Sequence, residues 1–265
     1  MKRIVLGIQY DGQPWLGWQS QPHGQTVQDM LEKALQSIAT HPVKVSCAGR
    51  TDAGVHALEQ VVHFDTEVDR PLDSWVRGVN AHLPNSIAVR WSKELNKDQG
   101  IELEFHSRFS ARSRTYHYIL YNHPVRSPIL AGRAGWVFRP LNEAKMNEAA
   151  QFLVGEHDFS SFRAIYCQAK SPVKQMHEIV IRRQGDVITF TFRASAFLHH
   201  MVRNIVGSLI VVGAGNQQPN WINEVLQTRN RSIAAPTFMP DGLYLAKVEY
   251  DPKWALPQQA SLLPW

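Results

Sequence analysis

The sequence predicts an α+β fold made of two halves, and three observations carry that expectation. Strand-like segments (Lys2 to Tyr10, Ser86 to Ser92, Thr115 to Tyr121, Val187 to Ala194) are interspersed with helical ones, in which Val27, Met30, Leu31, Ala34, Leu35 and Ile38, or Leu198, Met201, Val202, Ile205, Val206 and Leu209, form one apolar face. Both stretches of chain follow the order strand, helix, strand, strand, helix, strand, the split βαββαβ unit of ferredoxin-like folds. A polar segment, Asn96 to Gly100, separates them and divides the chain into residues 1–100 and 101–265. Two such units side by side predict a continuous, mainly antiparallel sheet with helices on one face and a cleft on the other.

Local signals justify the elements in turn. Lys2 to Tyr10 alternates apolar and polar side chains and ends at the turn pair Asp11-Gly12. Thr26 and Asp29 have the spacing of a capping box, so a helix runs from there to about Thr40, closed by Pro42. Val43 to Ala48 and Glu59 to Thr66 read as strands, Asp73 as the cap of a helix carrying Trp75, Val76, Val79 and Leu83, and Ser86 to Ser92 as the next strand. In the second half, after Thr115 to Tyr121, Asn142 caps a helix for which Gly155 is the expected stop. Met176 to Arg183 and Val187 to Ala194 are joined at Gln184-Gly185-Asp186, a short hairpin connection. The long apolar-striped helix, a shorter one from Pro219 and a closing strand from Gly242 to Tyr250 complete the half.

Composition narrows the function classes. The two cysteines, Cys47 and Cys167, lie far apart with no metal or redox spacing, and the chain opens directly on a strand pattern without a leader or membrane-length apolar run. A cytoplasmic protein with no membrane association is the expectation. The net charge of +5 is modest, but its distribution is uneven. Phe105 to Pro140 contains no Asp or Glu, and holds Arg108, Arg112, Arg114, Arg126, Arg133 and Arg139 interleaved with aromatic residues. Guanidinium forks bind phosphates and flat rings stack on bases, so this mixture suits RNA better than a membrane; a solvated basic face over an aromatic core has the same composition. Pro124 to Gly135 reads as a surface loop able to grip RNA.

The candidate catalytic stretch is Ala48-Gly49-Arg50-Thr51-Asp52-Ala53-Gly54-Val55-His56, between two apolar runs. Two glycines bracket one carboxylate, and the backbone can bend sharply there and approach a ligand closely. Arg50, two residues before Asp52, would hold that carboxylate ionised and nucleophilic if the two sit together. Asp-Ala-Gly is also ordinary turn chemistry, and spacing alone does not separate the two readings. His56 would order the loop or contact RNA, and Cys47 would fill space. His199-His200 invites a metal reading, but adjacent residues of a helix point to different faces and no HExxH or Cys/His set is present, so no metal site is expected.

Gly49 to His56, together with Arg108-Phe109-Ser110-Ala111, Arg114-Thr115-Tyr116-His117-Tyr118 and Phe197-Leu198-His199-His200-Met201-Val202-Arg203-Asn204, resembles the motifs of the tRNA pseudouridine synthase A family, in that family's order and across most of the chain. One departure is Glu59, at the start of a strand, where the family pattern implies glycine. The resemblance implies isomerisation of uridine to pseudouridine at tRNA positions 38, 39 and 40 of the anticodon arm, without a cofactor or metal, by a homodimer whose cleft holds the active site. It implies Asp52 as the catalytic carboxylate and Tyr116 as the residue lying against the uracil. Arg50 and Arg203 become substrate-binding residues, Arg203 through an ion pair or phosphate contact. By pattern alone, Tyr116 and Tyr118 on one strand face read as core, and Arg203 as an exposed helix arginine. Two rival classes remain: an RNA-binding module or chaperone indifferent to loss of Asp52, and a hydrolase with a carboxylate nucleophile, which lacks the second carboxylate that retaining glycosidases use.

Overall fold

The computed structural model describes residues 1–95 and 105–257, so the boundary expected at Asn96 to Gly100 lies outside the described residues. The predicted α+β class is what the structure shows: among the described residues there are ten strands, mostly antiparallel, and five α-helices. By compactness the described residues form two units, one from Met1–Arg112 with the residues from Leu245 onward, the other Ser113–Tyr244.

In the first unit β1 (Lys2–Tyr10) lies between β3 (His56–Thr66) and β4 (Ile87–Leu95), antiparallel to both. Helices α1 (Val27–Ala39) and α2 (Leu72–His82) pack on each other, and α2 packs on β4. Apolar periodicity decides which helix faces are buried: Val27, Leu31, Ala34 and Leu35 of α1 are inside, as are Trp75 and Val79 of α2. The Trp75 indole meets the Phe64 ring edge-on with centroids 5.3 Å apart, tying α2 to β3. The expected capping box forms: Asp29 N–H donates to Thr26 Oγ1 at 3.3 Å and the Thr26 hydroxyl donates to Asp29 Oδ2 at 2.5 Å.

Two expectations in this unit need correction. Asp73 does not cap α2; Pro71 occupies that position without a side-chain bond, since a proline at a helix start has no N–H to satisfy. Of Val43 to Ala48 only Ser46–Cys47 (β2) pairs as strand, on β3. Val45 N–H instead donates to the buried Glu32 carboxylate at 3.1 Å, and Lys44 pairs with the same group at 2.8 Å.

In the second unit β5 (Ala111–Asn122) pairs antiparallel with β9 (Val187–Ala194), β9 with β8 (Val173–Gln184), and β8 with β7 (Gly155–Asp158); the three-residue β6 (Gly135–Val137) lies parallel to β5. The predicted hairpin is present, with Gly185 at φ 58° and Gln184 opposite Val187. Asn142 caps α3 (Glu143–Gln151) by accepting from Lys145 N–H at 3.0 Å. Gly155, at φ 115°, opens β7 and does not stop α3, which ends at Gln151. Helix α4 (Met201–Gly213) starts three residues later than its apolar stripe suggests, and α5 (Trp221–Thr228) follows. The closing strand β10 spans Leu243–Tyr250.

Because Thr26 Oγ1 satisfies one of the orphan amides of α1, Thr26→Ala should lower stability by about 1 kcal/mol. The check is a lower urea midpoint at unchanged slope, with Thr26→Ser, which keeps the capping oxygen, losing little.

Candidate active site

The loop around Asp52 is an excursion between two paired strands. Ala48 N–H donates to Val61 O at 2.8 Å, the chain then leaves the end of β2, and it rejoins the sheet as β3 at His56. Within the excursion Val55 N–H donates to Asp52 O at 3.1 Å, closing a turn in which Gly54 has φ 79°. An L side chain is strained in that region, so the glycine after Asp52-Ala53 is what lets the turn close.

The loop backbone is then clamped from both sides. Trp18 N–H donates to Thr51 O at 3.0 Å, Gly54 N–H to Trp15 O at 3.4 Å, and the Tyr10 and Thr51 hydroxyls lie 2.7 Å apart. These contacts need close approach. A Cβ on Gly12 would stand 2.0 Å from Val55 O, and one on Gly17 would stand 3.0 Å from Thr51 O and 3.3 Å from Ala53 N. On the other side the fully buried Gln60 holds the start of the loop, donating Nε2–H to Gly49 O at 2.5 Å and accepting from Gly49 N–H at 3.3 Å. His56 orders the loop, as one of its two expected roles had it: its Nδ1 accepts Gly12 N–H at 3.0 Å. Asp11 Oδ1 lies 3.1 Å from the same nitrogen. Since the backbone amide is a fixed donor, Nδ1 is the bare nitrogen, and Asp11 Oδ1 is placed by Gln13 N–H at 3.0 Å.

On this frame Asp52 is half-buried and Arg50 exposed. Arg50 and Arg108 both bear on Cys47, whose thiol burial pushes up to about 12 against the pull of the two guanidiniums. Cys47 is therefore a neutral filler, not a nucleophile. Arg108 in turn lies 5.6 Å over Phe109, which also packs on His106 at 4.4 Å and is 75% exposed. The turn carrying them is anchored to β3: Ser107 N–H donates to His63 Nδ1 at 3.2 Å, and burial with the nearby Arg3 charge lowers His63 to about 4, keeping it neutral.

In the second unit Tyr116 and Tyr118 face the same side of β5, as alternation requires. Both are buried; Tyr116 meets Phe197 edge-on at 4.9 Å, and Tyr118 donates to Met239 O at 3.0 Å. The aromatic part of Phe105 to Pro140 is thus divided: Phe105 and Tyr118 are core, Tyr116 keeps 8% of its surface exposed, and Phe109 and Phe138 are exposed, the latter under Arg139 at 5.3 Å. Arg203 on α4 is half-buried and its Nε–H donates to Phe238 O at 2.8 Å, so it is not the solvated helix arginine of the pattern-only reading. His199 and His200 precede α4, their rings 4.0 Å apart and His200 at φ 61°, so the helix-face argument against a metal does not apply to them.

Glu59, the residue that departs from the family pattern, sits at a β-bulge. Ile8 pairs with Gln60 and Tyr10 with Ala57, so Leu58 and Glu59 together oppose Gln9. Its carboxyl is only 8% exposed, and burial raises it to about 7 despite Lys247 and a hydrogen bond from the Val248 amide. Residues that sequence reasoning did not single out, Gly12, Gly17 and Gln60, prove to be the ones fixing the loop. Asp11-Gly12 was legible only as a turn, since nothing local says which distant carbonyl it meets.

A strand excursion that presents one carboxylate on a clamped backbone is suited to covalent or acid–base chemistry. The family described as tRNA pseudouridine synthase matches residues 7–110 and 149–251, and the chain belongs to that family of isomerases. It is 67% identical over 257 residues to the tRNA pseudouridine synthase A of Herminiimonas arsenicoxydans, covering 97% of this chain and 93% of that protein. Similar proteins of the same name occur in Janthinobacterium sp. (strain Marseille), 65% identical over 97% of this chain and 95% of that protein, and in Paraburkholderia phymatum, 59% identical over 100% and 97%.

Two predictions follow from the loop frame. Gln60→Leu strands the Gly49 amide and carbonyl, and should cost about 2 kcal/mol in urea unfolding and speed hydrogen exchange at Gly49. Between the ordinary glutamate value and about 7, folded Glu59 holds a proton that the unfolded chain has given up, so stability falls as pH rises through that window. Glu59→Gln should therefore flatten the decline, adding about 1–3 kcal/mol at pH 8 and little at pH 4, read from unfolding midpoints across pH.

Proposed function

We propose that this protein isomerises uridine to pseudouridine in the anticodon arm of tRNA, at positions 38, 39 and 40, with Asp52 as the catalytic carboxylate. The observation that carries the reading is the clamped loop: Thr51 O, Gly54 N–H and Val55 O are each held by backbone or glycine approach, leaving the Asp52 side chain as the group presented by a fixed main chain. A preorganised carboxylate is what this reaction needs, since it requires no net oxidation and no second substrate.

In the reaction the bond from C1′ to N1 breaks, the uracil turns, and a bond from C1′ to C5 forms; N1 gains a proton and C5 loses one. Asp52 acts either as a nucleophile on the ribose or base, or as a base on a ribose proton. The target nucleotide is turned out of its stack at a cost of a few kcal/mol and received on an aromatic surface, for which Tyr116 is the candidate, also serving the proton at C5. Arg50 holds Asp52 ionised or meets phosphate, and Arg203 contributes an ion pair or phosphate contact. A homodimer in the cytoplasm fits the family; among the described residues no helix is long and apolar enough to cross a membrane.

The test pairs Asp52→Asn with the parent on purified unmodified tRNA. Conversion should fall by about 10³-fold or more while tRNA affinity stays within about threefold. Unchanged conversion removes Asp52 from the chemistry, and a parent that binds without converting favours the RNA-binding module.

A further inference from the structure

A second cationic site lies in the second unit, lined by none of the residues assigned above. A cavity of about 480 Å³ is lined by Ser160, Arg163, Ile165, Arg229, Asn230 and Arg231. The depression is open to solvent and wide enough to admit a phosphate group.

The three guanidiniums are brought there by different devices. Arg163 follows the short 3-10 turn Ser160–Phe162 and is braced by Cys167 O at 2.5 Å and Ala169 O at 3.1 Å. Arg231 donates to Ala234 O, to Thr237 Oγ1, and to the Oδ1 of Asn204, a fully buried residue whose own amide donates to Phe162 O at 2.8 Å. One buried asparagine thus joins the two walls. Arg229 terminates α5 at φ 50° and stands 3.6 Å from Asp158. Carbonyl and amide tethers fix a guanidinium without neutralising it. Among the described residues Asp158 is the only carboxylate within ion-pair distance of the three, so the cavity keeps an excess of positive charge. Beside it Ile165 and Tyr166 are 85% and 89% exposed, large apolar side chains on a polar rim.

We infer that this cavity binds a backbone phosphate of the tRNA, with the Tyr166 ring taking up an adjacent base or ribose. Fixed guanidinium forks match phosphate oxygens, and an exposed ring beside them gives a stacking surface that an isolated small anion would not use. The inference rests on the proposed action on tRNA and extends it: substrate is held at a site that takes no part in breaking the C1′ to N1 bond. Asp158 competes with the phosphate for Arg229.

The test measures affinity of unmodified tRNA across salt, with conversion measured alongside. Arg229→Gln should weaken binding about three- to tenfold and reduce the slope of log affinity on log salt by about one, with kcat within about twofold. Tyr166→Ala should weaken binding about fivefold with the slope unchanged, as loss of stacking predicts. Asp158→Asn keeps an acceptor for Ser160 N–H but removes the competing charge, and should tighten binding about two- to threefold, a gain that impaired folding cannot produce. Unchanged affinity and slope in Arg229→Gln, or weaker binding in Asp158→Asn, overturns the inference. Inorganic pyrophosphate protected by Arg229 in a chain whose tRNA affinity ignores that residue overturns the RNA assignment. A parent that binds no tRNA overturns the underlying function instead.

Discussion

The backbone of residues 49–55 is fixed by contacts that only a few side chains permit, and the rest of the site depends on this constraint. Gly12 and Gly17 let main chain meet main chain at distances a Cβ would forbid, Gln60 takes up both polar groups of Gly49, and His56 fills its place by accepting the Gly12 amide. A carboxylate on such a loop needs little reorganisation to reach a reacting geometry, which is the property the role proposed for Asp52 calls for. The Thr51 hydroxyl, bonded to that of Tyr10, ties the residue before Asp52 to the end of β1.

The electrostatic surroundings divide the titratable groups by role. Burial keeps Cys47 and His63 neutral, so neither competes for the proton chemistry, and Arg50 and Arg108 supply fixed positive charge near the loop. Glu59 is the exception. A carboxyl raised to about 7 at the bulge following the loop makes the first unit respond to neutral pH through stability, while Gln60, its neighbour, carries the structural contact to Gly49.

The Thr26 and Asn142 caps and the Gly185 hairpin were legible because each has a local cause: a side-chain acceptor three residues from an amide, or a glycine where φ must be positive. The short strands β6 and β7 of the second unit were not, since neither carries an alternating run of its own. The family was legible through the motif around Asp52. The start of α4 was not, because the apolar stripe begins at Leu198 while the chain is still in a turn at His200. The clamp was not legible either, since Gly12, Gly17 and Gln60 act on partners about eleven to more than forty residues away, distances at which a sequence carries no periodicity. Strand Val43 to Ala48 is shorter than expected for a related reason: the Val45 amide goes to the Glu32 carboxylate, a tertiary contact in place of a ladder bond.

The most direct measurement follows tritium released from C5 of uridine in otherwise unmodified tRNA, with the converted positions mapped. If the clamped carboxylate performs the isomerisation, each conversion releases one C5 hydrogen, at anticodon-arm positions 38, 39 and 40 and nowhere else. Binding without release, or release confined to other regions of the tRNA, contradicts the account.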